Sequence, residues 1–138
     1  MADTLARVQF ERRALQALLA VVAIVPVLAG SSGALLGVDI LHIQNASISA
    51  ESHFRYLSGL LLAIGLFYWS CVPRIEQHGE RIKLLTTIVF IGGVARALDL
   101  YFNGIPSPVH IGALVIELAI APAVMFWQHR VATRVAAT

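Results

Sequence analysis

From Ala14 to Leu36 the sequence carries no charged side chain. At ~1.5 Å per residue such a run can cross a ~30 Å hydrocarbon layer. Three more apolar stretches follow. Tyr56–Val72 has no charge; Leu84–Phe102 is interrupted only by Arg96 and Asp99, and Val109–Trp127 only by His110 and Glu117. In lipid every backbone N–H and C=O must be satisfied within the chain, so runs of this length fold as helices. Composition agrees: 58% of residues are hydrophobic and 13% charged, where a soluble domain carries about 25% charged residues. The expected fold is all-α, a single integral membrane domain over residues 1–138, with four transmembrane helices at about 14–36, 53–73, 84–102 and 109–127.

The segments between the runs set the expected topology. Residues 1–13 are polar and can form a short amphipathic lead-in helix. Residues 38–51 are a polar connector containing Asp39, His42, Gln44 and Asn45, read as a short strand or interfacial turn. Arg74–Lys83 (RIEQHGERIK) is too charged for hydrocarbon, and Asn103–Pro108 (NGIPSP) is a tight, breaker-rich turn. Four spans put both termini and the 74–83 link on one side. That side holds Arg7, Arg12, Arg13, Arg74, Arg81, Lys83, Arg130 and Arg134; the only other cations among the ten Lys and Arg are Arg55 and Arg96. By the positive-inside rule that side is cytoplasmic, which places both termini inside. A cleaved signal peptide over the first run, with small residues at Ala29–Ser32, is the alternative. Helix one is expected to be retained, because Pro26, Gly30, Gly33 and Gly37 make one continuous packing stripe.

Ionisable residues inside a spanning segment are costly and are candidates for function. Helical phase gives their direction. Arg55, Gly59 and Ala63 share a face; so do Gly92, Arg96, Asp99 and Asn103, with Gly93 beside them; so do His110, Ala113, Glu117 and Ala121. In each case the charge lies with small residues, which favour helix contact in lipid. Glu117 falls roughly 12 Å below the start of helix four and Arg96 roughly 9 Å from the end of helix three, at 1.5 Å per residue. An Arg96–Glu117 contact is therefore expected as the deepest polar pair, with Asp99 matched to Arg55 or His53 and His110 at the mouth. The candidate ligand-binding residues are His53, Arg55, Arg96, Asp99, His110 and Glu117. The candidate packing residues are Gly30, Gly33, Gly59, Ala63, Gly92 and Gly93. The same charges could instead lock helix order without binding anything.

Other chemistries find little support. His53 and His110 lack HxxxH or ExxH spacing and have Arg residues nearby, so no metal or other cofactor is expected. The single cysteine, Cys71, reads as a small apolar residue near a helix end. No basic run interleaved with aromatics points to nucleic acid. Below Glu117 the sequence LAIAPAVMFW holds no proton relay.

The motifs SHFRYLSGLLLAIGLFYW, then RIE, GGxARALD, GIP and ELxxxP resemble a family of small bacterial four-helix membrane proteins, a domain of unknown function numbered 4345. The resemblance covers helix one to helix four and aligns Arg55, Gly59, Gly65, Gly92, Gly93, Arg96, Pro106, His110 and Glu117. It implies the four-helix fold and treats the Arg and Glu positions as a unit; it implies no activity.

The expected function is that of a small membrane binding or accessory protein. Besides the lipid bilayer, its partner would be a lipid-like or anionic amphipathic molecule held in the outer half of the helices. Two alternatives stand beside it. One is an isomerase-like membrane enzyme using Glu117 or Asp99 as acid or base, which a neighbouring Arg96 works against. The other is a structural subunit of a larger membrane assembly.

Overall fold

The structure is a computed structural model that describes residues 2–41 and 45–137; His42 and Gln44 of the polar connector lie outside the described residues. Its helices are α1 (Ala2–Val22), α2 (Ile24–Leu36), α3 (Ile48–Cys71), α4 (Gly79–Asn103), α5 (Pro108–Val115) and α6 (Ala121–Ala136). Short 3₁₀ turns at Gly37–Leu41 and Ile75–Gln77 and a wide π-type turn at Ile116–Ile120 join or extend them. Four helical stretches are long and apolar enough to cross a membrane: Leu5–Leu41, Ile48–Cys71, Gly79–Asn103 and Pro108–Ala136. This is the pattern of a multi-pass membrane protein.

The helices run longer than the apolar runs, because hydrogen bonding continues where hydropathy stops. The polar lead-in is continuous with helix one from Ala2. Pro26 explains the break between α1 and α2: without an N–H it cannot bond to the carbonyl of Val22, although Val27 still donates to Ala23 at 3.3 Å. Helix two starts early, at Ile48, where the Ser47 hydroxyl accepts the Ala50 N–H at 3.1 Å as an N-cap does. The last helix continues past Trp127 to Ala136.

The chain divides into two compact units, Leu19–Ser70 and a second made of the residues up to Leu18 with those from Cys71 onward. In the first unit α2 and α3 run antiparallel in close contact. A Cβ on Gly30 would lie 2.7 Å from the Leu62 Cα, one on Gly33 would meet Ser58 and Phe54, and one on Gly65 would meet Val27. Trp69 closes the far end of this hairpin by donating its indole N–H to the Ala20 carbonyl at 2.9 Å.

In the second unit the buried side chains gather where α1 begins, α4 begins and α6 ends: Val8, Leu15, Ile75, Ile82, Leu85, Val124 and Val131. Polar side chains fasten the same end. Arg12 forks onto Glu76 (Nε to Oε2 2.8 Å, Nη2 to Oε1 3.1 Å). Arg134 donates to both oxygens of Glu11 at 2.6 and 2.7 Å. Gln16 and the buried Gln128 donate to the Val72 and Ile75 carbonyls at 2.7 and 2.9 Å. At the opposite end, between Gly93 and Ala121, no residue is fully buried.

Candidate functional site

A charge pair in the second unit joins α4 to the wide turn after α5. Arg96 Nε donates to Glu117 Oε2 at 3.0 Å and Nη2 to Oε1 at 3.1 Å. The two helices approach closely here because Gly93, one turn before Arg96, has no side chain: a Cβ would stand 2.8 Å from both the Glu117 Cβ and Leu118 Cδ2. The turn is wide because Pro122 cannot donate to Leu118; the Ala121 N–H reaches back five residues to Ile116 instead. Such turns recur at functional positions in helices. The Arg96–Glu117 contact expected from helical phase thus forms. Both Glu117 oxygens are engaged, but the guanidinium is not saturated: among the described residues of this unit Nη1 has no acceptor, and 34% of the Arg96 side chain is accessible against 17% for Glu117.

Asp99 and His110 find partners close by in sequence. Asn103 Nδ2 donates to Asp99 Oδ1 at 2.7 Å, and Ser107 Oγ shares a 2.8 Å hydrogen bond with His110 Nδ1.

In the first unit Arg55 is partnered through two of its three nitrogens. Its Nε donates to Glu51 at 2.6 Å, and Nη1 to the carbonyls of Ala34 and Leu35 at 2.9 and 2.8 Å. These carbonyls lie in the last turn of α2, where helical partners run out. Glu51 completes the closure by accepting the Val38 N–H at 3.0 Å. The chain turns at Gly37 with φ +70°, a conformation that favours glycine. Arg55 therefore caps α2. His53 is exposed and lines an open concavity with Ile48, Ser49, Ser52 and Tyr56.

The small residues divide as well. Gly30, Gly33 and Gly93 sit at close approaches, whereas a Cβ on Gly59 or Gly92 would have no atom within 4 Å; Ala63 is half-buried. Among the described residues no three His, Cys, Asp or Glu side chains converge as metal ligands would.

Sequence reasoning did not single out Glu51, or the Arg12–Glu76 and Glu11–Arg134 pairs. Glu51 carried a signal, since it stands four residues before Arg55, the spacing of a helical ion pair. Burial raises the pKa of the Glu76 carboxyl, but the hydrogen bonds and charge of Arg12, its own backbone N–H and the nearby His78 outweigh this and leave it below the usual carboxylate range.

The family described as domain of unknown function DUF4345 matches residues 14–128, more than four-fifths of the chain. The chain belongs to the DUF4345 family. No curated protein and no solved structure matches it significantly. The DUF4345 match takes in the Arg55 cap, the Arg96–Glu117 pair and the Gln128–Ile75 bond, and leaves Glu11 and Arg134 outside its bounds.

Proposed function

We propose that this protein is a non-enzymatic accessory protein of a bacterial inner membrane, with both termini in the cytoplasm, that binds a lipid-like or anionic amphipathic ligand in its outer half. The observation that carries the reading is the free edge of Arg96. A guanidinium within a spanning helix has spent one edge on Glu117 and, among the described residues of its own unit, keeps Nη1 without an acceptor. Unsatisfied donors are costly at membrane depth, and a phosphate or carboxylate oxygen suits that edge. Asp99 and His110, in the same unit, are the further ligand-side candidates, although both already have partners within the chain. Engagement of both Glu117 oxygens weighs against the isomerase-like reading. The pair on its own would also serve as a lock.

The test compares Arg96→Lys with Arg96→Met. Lysine keeps the charge opposite Glu117 but lacks the second edge. Native mass spectrometry of gently extracted protein should show a bound anionic lipid in the wild type that is lost in both variants while Arg96→Lys stays folded. A ligand retained by Arg96→Lys would place binding elsewhere; no ligand in the wild type would leave the lock.

A subunit role in a larger assembly is the second reading. Gly92 favours it, since it is exposed with open space where a Cβ would stand, and small residues let helices approach in lipid. Constant protein partners in the same spectra would support it.

A further inference from the structure

We propose that the turn from Tyr101 to Val109 is an interfacial anchor, seated in the headgroup and upper acyl layer of the bilayer, with lipid covering its apolar side chains. Tyr101, Phe102, Ile105 and Val109 are 81%, 74%, 86% and 80% exposed. The two rings meet edge to face, with centroids 5.1 Å apart. A turn facing water seldom presents so many large apolar groups side by side.

Charge and hydrogen bonding point the same way. Between Asp99 and His110 the chain carries no charged side chain, while the link between α3 and α4 holds Arg74, Glu76 and His78. Several polar groups of the turn are paired close by in sequence. Asn103 bonds to Asp99 and Ser107 to His110. The Gly104 N–H returns to the Leu100 carbonyl at 3.2 Å, and the His110 and Ile111 N–H groups return to Ser107 at 2.9 and 3.3 Å. Pro106 and Pro108 bring no N–H at all. An exposed apolar surface, no net charge and polar groups largely paired nearby suit the lipid boundary, where the headgroup layer can serve the rest.

The occupant follows from continuity. The turn lies between two stretches long and apolar enough to span a membrane, and Leu98 and Val115, on either side of it, are exposed as well. The lipid that covers those helices extends over the turn without a break. The inference rests on the membrane-spanning reading of the helices and not on a ligand at Arg96.

The test is nitroxide depth measurement in phosphatidylcholine–phosphatidylglycerol vesicles. Ile91→Cys, Ile105→Cys and Glu80→Cys are labelled one at a time; Cys71 is fully buried and serves as the unlabelled background, checked on the wild type. Oxygen collisions should dominate over those of a water-soluble nickel chelate at 91, do so less strongly at 105, and reverse at 80. A deep 91 with 105 reading like 80 would put the turn in water and overturn the anchor alone. A position 91 reading like 80 would remove the membrane reading and the anchor with it. Shielding of 105 from both reagents would mean that a protein covers the turn, which also overturns the proposal.

Discussion

Arg96 and Glu117 lie edge to edge, their two parallel hydrogen bonds 3.0 and 3.1 Å long, over a glycine that brings their helices together. Both ends of this pair matter to stability, because removing one leaves the other uncompensated in a medium of low dielectric. Arg96→Met or Glu117→Gln should each cost about 2–3 kcal/mol. That is less than the ~3–5 kcal/mol of a fully buried pair, since a third of the Arg96 side chain is accessible. The double variant Arg96→Met/Glu117→Gln should cost less than the sum of the singles in a denaturation series in detergent. Strict additivity would show that the pair is not energetically coupled.

The glycines should separate into two classes. Gly30→Ala would drive a methyl into the Leu62 backbone, which has no rotamer to yield, and Gly93→Ala would meet the side chains of Glu117 and Leu118. Overpacking of this kind costs about 1–3 kcal/mol, with Gly30 expected at the upper end. Gly59→Ala and Gly92→Ala enter open space and should gain about 0.5–1 kcal/mol from helix propensity. Thermal melts of the four variants give the ranking, and a destabilised Gly92→Ala would mean that another helix packs there.

Arg55 should act on the α2–α3 hairpin. Arg55→Met strips the Ala34 and Leu35 carbonyls of their donor, a loss of about 1–2 kcal/mol. Arg55→Lys should restore little, because one ammonium cannot reach Glu51 and both carbonyls in the fixed fork that arginine offers. Amide exchange near Ala34–Val38 should quicken in both variants.

Acid should loosen the end where α1, the 72–78 link and α6 meet. The folded-state pKa of Glu76 is depressed, so its contribution is present above the unfolded carboxylate value and is lost as pH falls through the lower folded value. The transition therefore falls below the ordinary carboxylate range. Arg12→Met removes the main depressing influence and should shift the acid transition upward, as followed by Trp fluorescence.

The sequence made the spans legible because apolar length is a direct demand of the bilayer. It also made the Arg96–Glu117 contact legible, since helical phase and depth leave each residue few partners. Arg55 was harder. Its phase points it at a small-residue face, but what it meets is the end of α2, and unpaired backbone carbonyls leave no mark in side-chain patterns. Helical phase matches Asp99 to Arg55 or His53 and sets His110 at the mouth, whereas residues four and three positions away, Asn103 and Ser107, serve them first. Glu11 and Arg134 lie 123 positions apart, and only the folded chain brings them together.

The wide turn at Ile116–Ile120 has a consequence for the whole last helix. An α-helix rotates about 100° per residue, so one extra residue in the turn sets the two halves out of phase by that amount. The half beginning at Pro108 is aligned to bring Glu117 to Arg96. The half after the turn is aligned to bury Ala121, Val124, Gln128 and Val131. Pro122 makes the offset permanent, because it cannot supply the bond that would close the turn to normal width. Deleting one residue from 116–120 would gear the halves together and force a choice between the ion pair and the Gln128–Ile75 bond. Intact, the turn works as a clutch: each end of the helix is oriented by its own contacts, and a change of fit at one end need not be transmitted to the other.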